Sequence, residues 1–150
     1  MMVLDITTNT LIVKELRVAS NFFERMRGLI GTRPLEEGEG FLIPRCMGIH
    51  MLGMTYAIDA LYLDKEGRVL LTLEDVQPNT LAKVDFRAWS VLELPAGTVE
   101  RARIKPGDLL FFYGGDGGDA VGIPAGPAGE NRRKSRPRLQ EIFAVRHCFL

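Results

Sequence analysis

Residues 58–76 read IDALYLDKEGRVLLTLEDV. Two apolar runs flank Asp64-Lys65-Glu66-Gly67, where the glycine supplies the positive φ that a tight turn requires. The spacing predicts a strand over 58–63 and a return strand over 68–76. Outward from this hairpin the pattern repeats. Leu11-Ile12-Val13 and Leu16-Arg17-Val18 read together as one strand, and further short strands are expected at roughly 41–43, 48–52, 88–95 and 109–113. Gln77-Pro78-Asn79 and Lys105-Pro106-Gly107-Asp108 break the chain between them. Within 88–95, Val91 and Glu93 share one face with Trp89, read as a core residue, while Leu92 and Leu94 share the other.

A single clear helix is expected over roughly 21–30. Ser20 would cap it, Gly31 would stop it, and Phe22, Met26, Leu29 and Ile30 would form its buried stripe. Gly28 inside it costs about 1 kcal/mol relative to alanine, which predicts close packing against a strand. A short helical turn begins at Gly97-Thr98 and runs to Arg103. Many short strands around one helix predict a mainly β (α+β) fold: a small, partly open antiparallel β-barrel or sandwich. The connections are too short for a parallel α/β architecture.

The chain of 150 residues is long enough for one domain with a sizeable core. Its 19 acidic and 19 basic residues cancel, so no general attraction to nucleic acid is expected. Nine of the sixteen residues from Gly114 to Gly129 are glycine or proline. This predicts a globular domain over 1–113, a flexible linker over 114–138 that ends in a basic run, and a tail over 139–150 with at most a short helix. Two cysteines make no disulfide framework, and free thiols point to a reducing cytoplasm. The start lacks the basic and apolar regions of a secretory signal, and no apolar run approaches the roughly 20 residues that span a bilayer. The expected protein is therefore soluble and cytoplasmic, without a membrane partner.

Chemistry concentrates between Pro44 and Asp64, PRCMGIHMLGMTYAIDALYLD. On a strand, Cys46, His50 and Met54 would share a face, but four residues span about 13 Å, too far for one straight strand to chelate an ion. A bulge at Gly48 would be needed. The soft donors Cys46, Met47, Met51 and Met54 would then favour copper(I). A zinc set joining Cys46 and His50 to His147 and Cys148 fits no known finger spacing. A turn at Met54-Thr55 would place His50 opposite Asp59. Such a pair reads as a structural hydrogen bond or, with Cys46 as nucleophile, as a small thiol or hydrolytic enzyme. Glu93, in an apolar strand, is expected to pair with Arg27 or Arg101. No catalytic residue, resident metal or cofactor is assigned. The candidate ligand-binding residues are Cys46, His50, Met54, Asp59 and Glu93.

Five blocks carry a family likeness. They are R-x-x-G-L-I at Arg25–Ile30, C-x-x-I-H-x-x-x-M at Cys46–Met54, I-D-x-L-Y-L-D at Ile58–Asp64, V-L-E-L-P-A-G at Val91–Gly97 and P-G-D at Pro106–Asp108. In order and spacing residues 8–113 resemble domain-of-unknown-function family 192. The resemblance implies a mostly β domain with one helix and no established activity. Because some relatives are exported or stand beside surface-pilus secretion genes, it also implies an accessory binding role. The reading is a non-enzymatic binding or accessory module whose partner is a protein or small molecule.

Overall fold

The computed structural model describes residues 1–81 and 83–114, together with the backbone of 119–121. Among the described residues nine strands, β1 (Met2–Asp5), β2 (Thr10–Val13), β3 (Glu15–Val18), β4 (Glu39–Pro44), β5 (Ile58–Leu63), β6 (Val69–Val76), β7 (Ser90–Pro95), β8 (Leu110–Gly114) and β9 (Asp119–Val121), accompany two short helices, α1 (Phe22–Arg27) and α2 (Thr98–Ala102). They form two sheets, ordered β2-β1-β8-β9 and β3-β4-β7-β5-β6. The mainly β, two-sheet architecture is the expected one, and among the described residues the sheets do not close into a barrel.

The predicted hairpin is β5–β6, with Gly67 at φ 93° and Asp64 N–H donating to the Arg68 carbonyl. The expected strand over 11–18 is two strands. At Lys14 and Glu15 both backbone N–H groups turn to the Gly38 carbonyl, so β2 joins one sheet and β3 the other. Against the expectation of antiparallel pairing throughout, β3 runs parallel to β4. Residues 19–38, which include α1, provide the long crossover that such a pair needs. β9 extends the first sheet inside the stretch expected to be linker. The rest of that stretch, 115–118 and 122–138, and the predicted tail over 139–150 lie outside the described residues.

Alternation along the strands gives the larger sheet two different faces. Leu42, Leu61, Leu63, Leu92 and Leu94 point inward against Val3, Ile12, Val13, Leu110 and Phe112 of the smaller sheet. Each such side chain contributes about 1.5–3 kcal/mol by leaving water, so this layer dominates the stability. The outer face carries Phe41, Ile43, Ile58, Ala60, Tyr62 and Val91, covered by loops and by the segment after α1. Glu93 stands on this outer face, between Phe41 of β4 and Ala60 of β5. Trp89 is half-buried rather than core, with the Lys65 ammonium 5.0 Å from its ring centre.

Candidate functional site

The site begins where β4 ends. Pro44 closes the strand and Arg45, at φ 54°, turns the chain onto the outer face of the larger sheet. Met51 and Met54 are buried there with Leu29, Phe41 and Ile58. Residues 48–52 are therefore not the expected strand. They make one isolated bridge, His50 with Leu81, while Met51 N–H donates to the Thr80 carbonyl at 2.9 Å. The reason is topological: β5 pairs with β6 on one side and β7 on the other, so it offers no edge to an additional strand.

The same topology separates His50 from Asp59. His50 is exposed, whereas Asp59 is fully buried and points to the opposite face of β5. Its carboxylate accepts from Val99 N–H at 2.8 Å and from Asp75 N–H at 2.9 Å. It thus satisfies a donor at the start of α2, where Gly97 supplies no capping side chain. The Cys46–His50–Asp59 arrangement is not formed, and Asp59 is a structural residue.

Helix α1 forms the second wall. Asn21, not Ser20, is its N-cap and accepts from Glu24 N–H at 2.9 Å, while the Glu24 carboxylate reaches back to Ser20 N–H at 2.7 Å. Gly28 ends the helix at φ 55°, three residues before the expected stop. Only six residues are helical, and none of them is buried. Leu29 and Ile30 reach the core beyond the helix, but Phe22 and Met26 remain 59% and 58% exposed.

Between α1 and the 45–54 loop lies an open cleft of about 260 Å³. Phe22, Arg25, Met26, Arg27 and Gly28 line it from one side. Arg45, Cys46, Gly48, Ile49, His50, Met51 and Met54 line it from the other, over Ile43 and Glu93. Four of the five sequence candidates meet here: Cys46, His50, Met54 and Glu93. Sequence reasoning missed the arginine wall, although the R-x-x-G run held its signal: a glycine able to end a helix directly after Arg25-Met26-Arg27.

Glu93 is the group that sets the site's character. It is 4% exposed, and its Oε2 has no hydrogen-bond partner. The expected pairing is absent: Arg27 donates its Nε–H to the Ile30 carbonyl, and Arg101 donates to the Thr98 hydroxyl. Burial pushes the Glu93 carboxyl up to about 8, so at neutral pH it is mostly a neutral acid. Nearby, the Tyr62 hydroxyl donates to the Lys83 carbonyl, and burial pushes that phenol up to about 12. The Cys46 thiol donates to the Gly48 carbonyl at 2.8 Å. Burial raises its pKa, with the Gly48 contact and Arg25 pulling the other way. A raised thiol is a poor nucleophile at neutral pH.

Among the described residues no three His, Cys, Asp or Glu side chains gather as a metal site. Met51 and Met54 are engaged in core packing and Met47 is exposed, so the copper set is not assembled as ligands. The zinc set including His147 and Cys148 lies outside the described residues. No described helix is long and apolar enough to cross a membrane.

A family model, DUF192 (Uncharacterized ACR), matches residues 3–112. The chain belongs to this family. Its fold is shared by a solved structure, a protein of unknown function from Novosphingobium aromaticivorans, at a TM-score of 0.64 and 21% identity, covering 74% of this chain and 82% of the other. A structure from Sinorhizobium meliloti, described as a proposed transcription regulator, is similar at a TM-score of 0.63 and 26% identity, covering 73% and 88%. No curated protein matches the chain.

Proposed function

We propose that this DUF192 chain is a non-enzymatic binding module whose cleft, between α1 and the 45–54 loop, takes a ligand with an apolar body and one polar group. The observation that carries this reading is Glu93. A buried carboxyl oxygen without a partner costs a few kcal/mol that the fold does not recover, whereas a ligand atom placed against it would recover part of that cost. The walls supply apolar contact from Ile43, Ile49, Met51 and Met54, and Phe22 and Met26 extend it to the surface. The raised Cys46 thiol and the displaced Asp59 argue against the thiol-enzyme alternative. The accessory role at surface-pilus or secretion systems belongs to the same reading, with a protein segment as occupant.

A ligand-observed NMR screen of neutral, cationic and anionic fragments tests this. Binders are expected to compete with one another, to shift the amides of Cys46, Ile49 and His50, and to be lost in Met54→Trp, which fills the cleft. Binders that map elsewhere, or that survive Met54→Trp, would contradict the reading.

A further inference from the structure

The charges around the cleft identify the class of occupant, given that the cleft is a binding site. We infer that the ligand is an apolar carboxylate, its carboxylate held between the buried Glu93 side chain and the guanidinium of Arg25, its hydrocarbon lying along Met51, Met54 and Ile43.

The titratable and charged groups around the cleft that holds Glu93 can be taken element by element. From α1 come Arg25 and Arg27; from the loop after β4 come Arg45, Cys46 and His50; from β5 comes Tyr62; from β4 come only Phe41 and Ile43. Tyr62 and Cys46 already spend their protons on backbone carbonyls. Among the described residues the permanent charges lining the cleft are all positive, and Glu93 is the one carboxyl. Arg25 and Cys46 line the same cleft, and the guanidinium favours the ionised form of the Cys46 thiol.

Three kinds of polar head can be compared. An ammonium would ionise Glu93 and pair with it, but would have to settle beside the guanidinium groups of Arg25 and Arg27. A hydroxyl would gain a hydrogen bond and no charge attraction. A carboxylate accepts the O–H of protonated Glu93, a short charge-assisted hydrogen bond, and is attracted by the arginines as well. Size also limits the ligand: at roughly 30 Å³ per water-sized group, the cleft holds about eight or nine non-hydrogen atoms. Hexanoate has this size, and so does the terminal residue of a peptide with a free, apolar C-terminus.

Binding should depend on pH with a defined sign. The hydrogen bond requires Glu93 to be protonated, so affinity is present below its pKa of about 8 and is lost as pH rises through it. Between pH 7 and pH 9 the protonated fraction falls about tenfold, and affinity should fall with it.

The test is amide-shift titration of the full chain carrying Cys46→Ser, which removes the thiol from the cleft, with hexanoate, hexylamine and 1-hexanol. At pH 7 hexanoate should shift the amides around residues 45–54 at lower concentration than either analogue, and it should weaken about tenfold by pH 9. Glu93→Gln, which keeps a donor at every pH, should bind with a flat profile, and Arg25→Gln should weaken hexanoate but not hexanol. Tighter binding of hexylamine or hexanol in the cleft would overturn the carboxylate assignment and leave the binding site standing. Hexanoate without pH dependence, or binding nowhere in the cleft, would overturn it as well, while the fragment screen decides separately on the site. A tripeptide ending in leucine, free or amidated, distinguishes the source. If the free peptide outbinds hexanoate and the amide does not bind, the carboxylate is a chain end; the reverse order makes it a free acid. Either order supports the proposal.

Discussion

Asp59 and Glu93 are buried carboxyl side chains on adjacent strands of one sheet, and their surroundings differ completely. Asp59 faces the inter-sheet layer, where two backbone N–H groups meet its two oxygens. Glu93 faces outward beneath α1, with one oxygen unmatched and a cleft in front of it. Burial is nearly the same, so burial alone does not separate a structural acid from a binding one. The partners decide. Asp59 spends its hydrogen-bonding capacity on the fold, and Glu93 keeps its own in reserve.

The largest expected effect concerns pH. Burial pushes Glu93 up to about 8 in the folded chain, against an ordinary value of 4.5 for an exposed glutamate. The folded state therefore holds a proton that the unfolded chain has released, and stability falls as pH rises from about 4.5 to 8. This one group accounts for a loss on the order of 4 kcal/mol across that window. Urea titrations at pH 5 and pH 9 should show most of that loss in the wild type and little of it in Glu93→Gln. An equally steep decline in the variant would place the pH dependence on another group.

The opposite result is expected at Asp59. Asp59→Ala leaves two backbone donors unmatched in a closed layer and should cost about 2–4 kcal/mol at pH 7. Asp59→Asn retains one carbonyl oxygen and should cost roughly half as much. Urea midpoints measure both, and a cost below that of an ordinary surface substitution would remove the structural role. Next comes Gly28→Ala. An added Cβ meets only ordinary contacts, at 4.0 Å from Glu93 Oε1 and Ile43 Cδ1, so its cost of about 1–3 kcal/mol is backbone strain at positive φ. The smallest effect belongs to Phe22→Ser and Met26→Gln. Both residues are largely exposed, so stability should change by less than about 0.5 kcal/mol while cleft binding weakens. A large loss of stability there would make α1 part of the core instead of a wall.

The sequence made the β5–β6 hairpin legible because its signals are local: alternating apolar residues and a turn glycine. The faces of β7 were legible for the same reason, and they put Glu93 opposite Leu92 and Leu94. Four of the cleft residues stood out as polar or soft side chains in apolar surroundings. The non-local features were hidden. Nothing near Lys14 shows that the chain changes sheets there, because the Gly38 carbonyl that draws it away is distant in sequence. The His50–Asp59 pairing failed because both edges of β5 are taken by strands that come later in the chain. The stripe Phe22, Met26, Leu29 and Ile30 has helical spacing, but the spacing does not reveal that Gly28 cuts the helix and leaves its first half over a cleft.

The most direct measurement is a carbon-detected NMR titration of the Glu93 carboxyl, assigned by comparison with Glu93→Gln. A midpoint near 8, moving upward when hexanoate is added, is the predicted result. A midpoint near 4.5 that ignores hexanoate would mean that water or a protein group already satisfies Glu93, and would contradict its role as the waiting partner of a ligand.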